Sequence, residues 1–171
     1  MKNLKHRIVE ILFVAGLLVT GSASAGVLTD FAGNSKAISD YTGNGKWRVV
    51  MIWASDCHVC NSEAHSYVKF NREHEGKDAQ MLGISIDGKA KLKDAEEFVK
   101  RHKLNFPNLV GEPVDVAVEY MQLTQKNWVG TPSFLVYNPE GKLVAAEAGA
   151  VPVEIIEKFI ESSSQKNANK S

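Results

Sequence analysis

Cys57 and Cys60 are the only cysteines in a chain of 171 residues, and two residues separate them. The thiolate, not the thiol, is the nucleophile, and an ordinary cysteine has a pKa of about 8.5. A bridge between the two would close almost no loop. Disulfides stabilise chiefly by closing loops in the unfolded chain, so a structural staple at this spacing would contribute little. The spacing favours reversible chemistry. The Cys57 thiolate attacks a partner's sulfur, and Cys60 then attacks Cys57 and releases the partner.

Such a pair needs a setting that favours the thiolate, and the flanking residues supply one. Arg48 to Trp53 is a continuous apolar run rich in β-branched residues, the pattern of a central strand buried on both faces. Residues 57–75 follow as a helix, with Ser55 or Asp56 as its N-cap and Gly76 as its stop. A helix N-terminus presents unpaired N–H groups and the positive end of the macrodipole, which stabilise an anion there. Cys57, at the start, is the expected attacker, and Cys60, one turn in, the shielded partner.

The remaining elements fit an α/β chain with a mixed sheet. Residues 26–47 form an entry segment with a hairpin at Gly33-Asn34. Gln80 to Ile86 is a second buried strand ended by Asp87-Gly88. Residues 89–103 form an amphipathic helix, with Leu92, Ala95, Phe98 and Val99 at helical spacing. A short extended piece broken by Pro107 and a helix over residues 114–121 come next. Residues 122–130 read as a polar loop carrying Trp128. Ser133 to Tyr137 and residues 142–148 make a hairpin through Asn138-Pro139-Glu140-Gly141, and Pro152 opens a last helix containing Ile155, Ile156, Phe159 and Ile160. The polar tail from Ser162 is expected to fray.

The N-terminus reads as an export signal. Lys2, Lys5 and Arg7 precede a short apolar stretch, residues 11–19, and Ala23-Ser24-Ala25 offers a cleavage site. The stretch is well short of the ~20 residues that span a bilayer. The expected organisation is a cleaved signal over residues 1–25, one domain over 26–163 and a flexible tail over 164–171, with the mature protein in the periplasm. A formal net charge of zero, with 23% charged and 44% hydrophobic residues, gives no indication of nucleic acid as a partner. A monomer without cofactor or metal is expected.

Two further stretches sharpen this. Trp53-Ala54-Ser55-Asp56-Cys57-His58-Val59-Cys60 resembles the Trp-Ala-X-X-Cys-X-X-Cys signature of the thioredoxin superfamily, and Gly130-Thr131-Pro132-Ser133-Phe134-Leu135-Val136 resembles its second signature. The opening segment and residues 84–120 resemble the TlpA/ResA-like branch of exported thiol-disulfide oxidoreductases. The resemblance implies a thioredoxin-like fold with an N-terminal β-hairpin extension and a TlpA-type insertion. It implies a cis Thr131–Pro132 bond with Pro132 packed against the disulfide, and Glu63 beside Cys60 as a proton partner. Trp53, His58, Thr131 and Trp128 would line the substrate groove, although for Trp128 the covering of a core edge is favoured, since aromatic residues more often pack than recognise. Partners would be proteins bearing disulfides or thiols, with a membrane or periplasmic electron donor or acceptor. The usual task of the branch is reduction, as in cytochrome c maturation or copper-site assembly.

Three features depart from the family. Asp56 precedes the first cysteine, and its charge opposes the thiolate. His58-Val59 separates the cysteines, and a cationic His58 would favour the thiolate. Residues 122–128 look longer than the usual link. Two other functions are compatible with a cysteine pair. A copper chaperone could use the two thiolates, with His58 or His65 as a further ligand, but Sco-like chaperones have three residues between the cysteines and a later histidine, and no histidine follows His102. A thiol peroxidase would carry a hydroxyl residue three before its cysteine, but Ala54 and Cys57 occupy those positions.

Overall fold

The computed structural model describes residues 28–168; the signal-peptide reading lies outside them. One seven-stranded mixed sheet runs in the order β2-β1-β5-β4-β3-β6-β7. Its strands are β1 (Leu28–Asp30), β2 (Ser35–Lys36), β3 (Trp47–Trp53), β4 (Ala79–Ser85), β5 (Asn108–Gly111), β6 (Ser133–Tyr137) and β7 (Leu143–Ala148). Four helices flank it: α1 (His58–His74), α2 (Leu92–His102), α3 (Pro113–Thr124) and α4 (Val153–Ala168). β3, β4 and β5 are parallel, and the other pairings are antiparallel. The expected mixed sheet and N-terminal hairpin are present, with Gly33 at φ 84° in the hairpin turn.

β3 is buried at every position, as the apolar run from Val49 to Trp53 requires. Its side chains alternate between two cores. Trp47, Val49, Met51 and Trp53 face Cys60, Ala64, Tyr67 and Phe70 of α1, together with residues of α2 and α4. Val50 and Ile52 face Val116 and Tyr120 of α3 on the other side. Arg48, also buried, donates to the carbonyls of Tyr41 (2.7 Å) and Met81 (3.0 Å) and to Gln80 Oε1 (2.6 Å). The sheet therefore fixes the end of β3, where the cysteines follow, from both faces.

Some boundaries move. α3 continues to Thr124, whose hydroxyl donates to the Tyr120 carbonyl (2.8 Å), and Gln125 closes it in the left-handed region. The link before Pro132 is therefore shorter than its polar composition implies. α4 reaches Ala168, well into the tail expected to fray. Ser164 is held there, accepting from the Trp47 indole N–H (3.1 Å) and donating to the Ile160 carbonyl (2.8 Å). Ile155 is 54% exposed, whereas Ile156 and Ile160 are buried. Among the described residues no helix is long and apolar enough to cross a membrane.

Candidate active site

β3 delivers Trp53 to the C-terminal edge of the sheet, and the chain turns through residues 54–57 into α1. The N-cap is Cys57 itself, not Ser55 or Asp56. Its Sγ accepts from the Cys60 backbone N–H at 3.1 Å. A sulfur can fill this position because Cys57 keeps an extended backbone (φ −71°, ψ 113°), which aims its side chain back across the first turn. Cys57 and Cys60 are joined by a disulfide with Cα atoms 5.2 Å apart. Cys60 is fully buried and Cys57 partly exposed. An incoming thiolate can thus reach Cys57, while Cys60 attacks only from within.

Two polar side chains hold the turn. Asp87, itself buried, accepts from the Ser55 N–H (3.0 Å), the Ser55 hydroxyl (2.8 Å) and the Ser85 hydroxyl (2.7 Å). Asn61 Nδ2 donates to the carbonyls of Ser55 (3.0 Å) and Cys57 (2.9 Å). Asn61 Oδ1 in turn accepts from Arg101 Nη2 (2.8 Å) and faces His102 Nε2 (2.9 Å). Burial and the Arg101 charge push the His102 pKa below its ordinary value. Sequence reasoning overlooked all four residues. Asp87 reads as a strand end, Arg101 and His102 as a solvated helix terminus, and only the adjacency of Asn61 to Cys60 hints at its part.

β6 runs antiparallel to β3 with Ser133 opposite Ile52 and Phe134 opposite Met51. The pairing ends at Ile52 and Ser133, so the segment before Ser133, with Thr131 and Pro132, leaves β6 at the edge of the sheet where β3 ends in Trp53. The Thr131–Pro132 bond is cis. Pro132 is buried and Thr131 half-buried. The Pro132 carbonyl accepts from Gly149 N–H (2.8 Å), and the buried Ser133 hydroxyl donates to the Gly130 carbonyl (2.6 Å), so the loop is tied on both sides.

Glu63 is half-buried on α1, one turn after Cys60. Its charge is felt at Tyr67, whose pKa is pushed up to about 12 mainly by burial and secondarily by Glu63. His58 is exposed at the first position of α1. Asp56 pairs with Lys91 at 3.2 Å, both well exposed, and the pairing raises the Lys91 pKa. That cation offsets part of the repulsion expected between Asp56 and the thiolate, weakly at so exposed a site.

One groove expectation is overturned, and Trp128 takes the second of its two expected places. Trp53 is fully buried, stacked on Phe98 (centroids 4.2 Å apart) and donating to Asn108 Oδ1 (3.2 Å), so it cannot touch a partner. The period of the strand points it into the core. Trp128 packs against the α3-side core, on the sheet face opposite the cysteines, and its Nε1 is buried without a hydrogen-bond partner. It covers a core edge. The other histidines are engaged locally: His65 with the Ser62 carbonyl (3.1 Å), His74 with Asp78 (2.9 Å) and Glu157 (3.4 Å). Among the described residues no three His, Cys, Asp or Glu side chains converge as a metal site.

The sequence pattern of the AhpC/TSA family matches residues 21–146, most of the chain. The chain belongs to the AhpC/TSA family. Alkyl hydroperoxide reductase C of Mycobacterium tuberculosis (strain H37Rv) is 34% identical over 110 residues, covering 63% of this chain and 56% of its own length. This chain thus spans little more than half of that curated relative. Sporulation thiol-disulfide oxidoreductase A of Bacillus subtilis is 20% identical over 118 residues, 68% of each chain. Among solved structures, the thioredoxin domain of a thiol-disulfide oxidoreductase from Bacteroides vulgatus superposes with a TM-score of 0.61 at 25% identity, covering 77% of this chain and 89% of that one. A secreted Mycobacterium tuberculosis disulfide oxidoreductase, described as homologous to E. coli DsbE, gives 0.59 at 21% identity, covering 78% and 92%. The AhpC/TSA member described here therefore has a thioredoxin-like fold with its Cys-X-X-Cys pair closed as a disulfide.

Proposed function

We propose that the protein is an exported thiol-disulfide oxidoreductase that reduces disulfides in partner proteins, of the kind met in cytochrome c maturation or copper-site assembly. The observation that carries this reading is the unequal burial of the pair: Cys57 partly open at a helix N-cap, Cys60 sealed behind it. The reduced protein's Cys57 thiolate attacks a partner disulfide, whose departing sulfur leaves as a thiolate. Cys60 then loses its proton, attacks Cys57 and expels the partner's second sulfur. The partner gains two electrons and becomes a dithiol, and the protein returns to its disulfide. Glu63, half-buried one turn from Cys60, is the proton acceptor in this scheme. His58 and Thr131 form the rim that meets the partner, and the pyrrolidine ring of Pro132 packs against the disulfide. A membrane or periplasmic electron donor regenerates the dithiol, and the signal over residues 1–25 sends the chain to the periplasm.

The deciding experiment replaces Cys60 with Ala in the exported full chain and seeks covalent adducts on Cys57. Trapped partner proteins support the reading and identify the substrates; an adduct-free Cys57 overturns it. Glu63→Gln should alter the pH dependence of exchange, and an unchanged profile removes Glu63 from the scheme.

Kinship with alkyl hydroperoxide reductase C favours a second reading, a thiol peroxidase. Against it, Ala54 and Cys57 stand three residues before the two cysteines, and Cys60 is sealed from a peroxide. Peroxide consumption by the reduced protein at rates above free thiol would favour it.

A further inference from the structure

The residues around the cysteines carry little positive charge of their own. Asp56 and Glu63 are acidic, and His58 is the sole basic residue between Trp53 and Ala64. A thiolate on Cys57 would benefit from a cation, and the fold brings one from α2. Arg101 Nη2 lies 2.8 Å from Asn61 Oδ1, and the same Asn61 amide donates through Nδ2 to the Ser55 and Cys57 carbonyls. The Cys57 carbonyl also accepts from the Asn61 backbone N–H at 3.1 Å. The amide orientation is forced. Turned over, Oδ1 would face two carbonyls and Nδ2 would face a guanidinium. His102 Nε2 lies 2.9 Å from the same oxygen, and burial and the Arg101 charge lower the His102 pKa.

We propose that Arg101, acting through Asn61, is a positioning residue for the Cys57–Cys60 couple, polarising the amide that holds the active-site turn and favouring the Cys57 thiolate. A guanidinium on Oδ1 strengthens the donor power of Nδ2. The Ser55 and Cys57 carbonyls, whose negative ends would otherwise oppose the thiolate, are thereby held and partly neutralised. Arg101 is exposed, yet it lies over the Phe98 ring at 5.7 Å, and Phe98 stacks on Trp53, the last residue of β3. The cation is thus held by the packing that carries the site. Two-electron reduction of the disulfide by a partner dithiol, which becomes a disulfide, leaves Cys60 as a thiol and Cys57 as a thiolate. A positive charge relayed through Asn61 to the Cys57 carbonyl shifts that equilibrium toward the reduced protein.

The proposal rests on the oxidoreductase reading, but its test does not need a partner. The redox equilibrium of the full-length chain with glutathione is measured for wild type, Arg101→Gln, Arg101→Lys and Asn61→Ala, alongside the pH profile of Cys57 alkylation. Arg101→Gln keeps a donor for Asn61 and removes the charge. It should shift the equilibrium about threefold toward the disulfide, ~15 mV, and raise the Cys57 pKa. The size is modest because Arg101 faces solvent. Arg101→Lys should restore most of the shift, and Asn61→Ala should move it about tenfold, ~30 mV. A wild-type equilibrium and alkylation profile in Arg101→Gln overturns the proposal. So does an equal shift in Arg101→Gln and Arg101→Lys, which would mean that shape and not charge matters. Failure of partner trapping with these shifts present would sink the function and leave the Arg101–Asn61 link standing.

Discussion

Ser55 gives both its backbone N–H and its hydroxyl to one buried carboxylate, Asp87, at 3.0 and 2.8 Å. The Ser85 hydroxyl, fully buried on β4, donates at 2.7 Å to Oδ2, the oxygen that also takes the Ser55 N–H. Asp87 therefore ties the turn before the cysteines to the neighbouring strand. Asp87→Ala leaves three donors without an acceptor, each costing about 1–3 kcal/mol when buried. Because Ser55 is only partly buried and water can reach it, the expected loss is about 2–4 kcal/mol. Urea unfolding of the oxidised protein measures it. A loss below about 1 kcal/mol would show that the turn is held without Asp87.

Unequal burial predicts unequal reactivity. Once the disulfide is reduced, Cys57 at the helix N-cap should alkylate at least about tenfold faster than Cys60. Mass spectrometry of protein quenched after partial reaction with iodoacetamide reads the ratio. Equal labelling would mean that the reduced site opens, and that the division into attacking and resolving cysteine does not hold.

The fold was legible because its signals are of long range in burial and short range in sequence. β3 announces itself by seven buried residues in a row, and the Gly33 and Gly141 turns and the Pro132 loop each sit in a local motif. The site was legible only along the chain. Cys57, Cys60 and Pro132 belong to motifs, but Asp87, Asn61 and Arg101 act across elements, and nothing in their own neighbourhoods distinguishes them from a strand end, a helix residue and a solvated cation. Trp53 misled for the opposite reason: it lies next to a site motif in sequence, yet strand alternation buries it.

Gly83, in the middle of β4, shows the same limit. A Cβ there would collide with Asn108 Oδ1 and come within 2.8 Å of Trp53 Nε1, the two atoms that share a hydrogen bond. The glycine is needed for its missing side chain, since its backbone is an ordinary strand. Gly83→Ala should separate Trp53 from Asn108 and loosen the Trp53–Phe98 stack, at a cost of about 1–3 kcal/mol. Thermal unfolding and tryptophan fluorescence report it. An alanine variant with wild-type stability and spectrum would mean that Asn108 moves aside freely.

Alkaline pH should unfold the protein through two buried phenols. Burial pushes the pKa of Tyr67 and of Tyr137 from 10.0 up to about 12, with the charges of Glu63 and Glu119 adding to it. Each native phenol keeps its proton where the unfolded chain has lost it. The stability it contributes is full below pH 10 and falls as pH rises toward 12. At about 1.4 kcal/mol per pH unit, each phenol costs roughly 3 kcal/mol across that window. Phenolate absorbance in the native protein should therefore lag the urea-unfolded protein, and the last two ionisations should coincide with loss of the folded circular-dichroism signal. Tyr137→Phe should remove one late ionisation and extend the folded range upward. If all four tyrosines instead ionise near pH 10 while the fold persists, water reaches both rings and the two cores are looser than their packing implies.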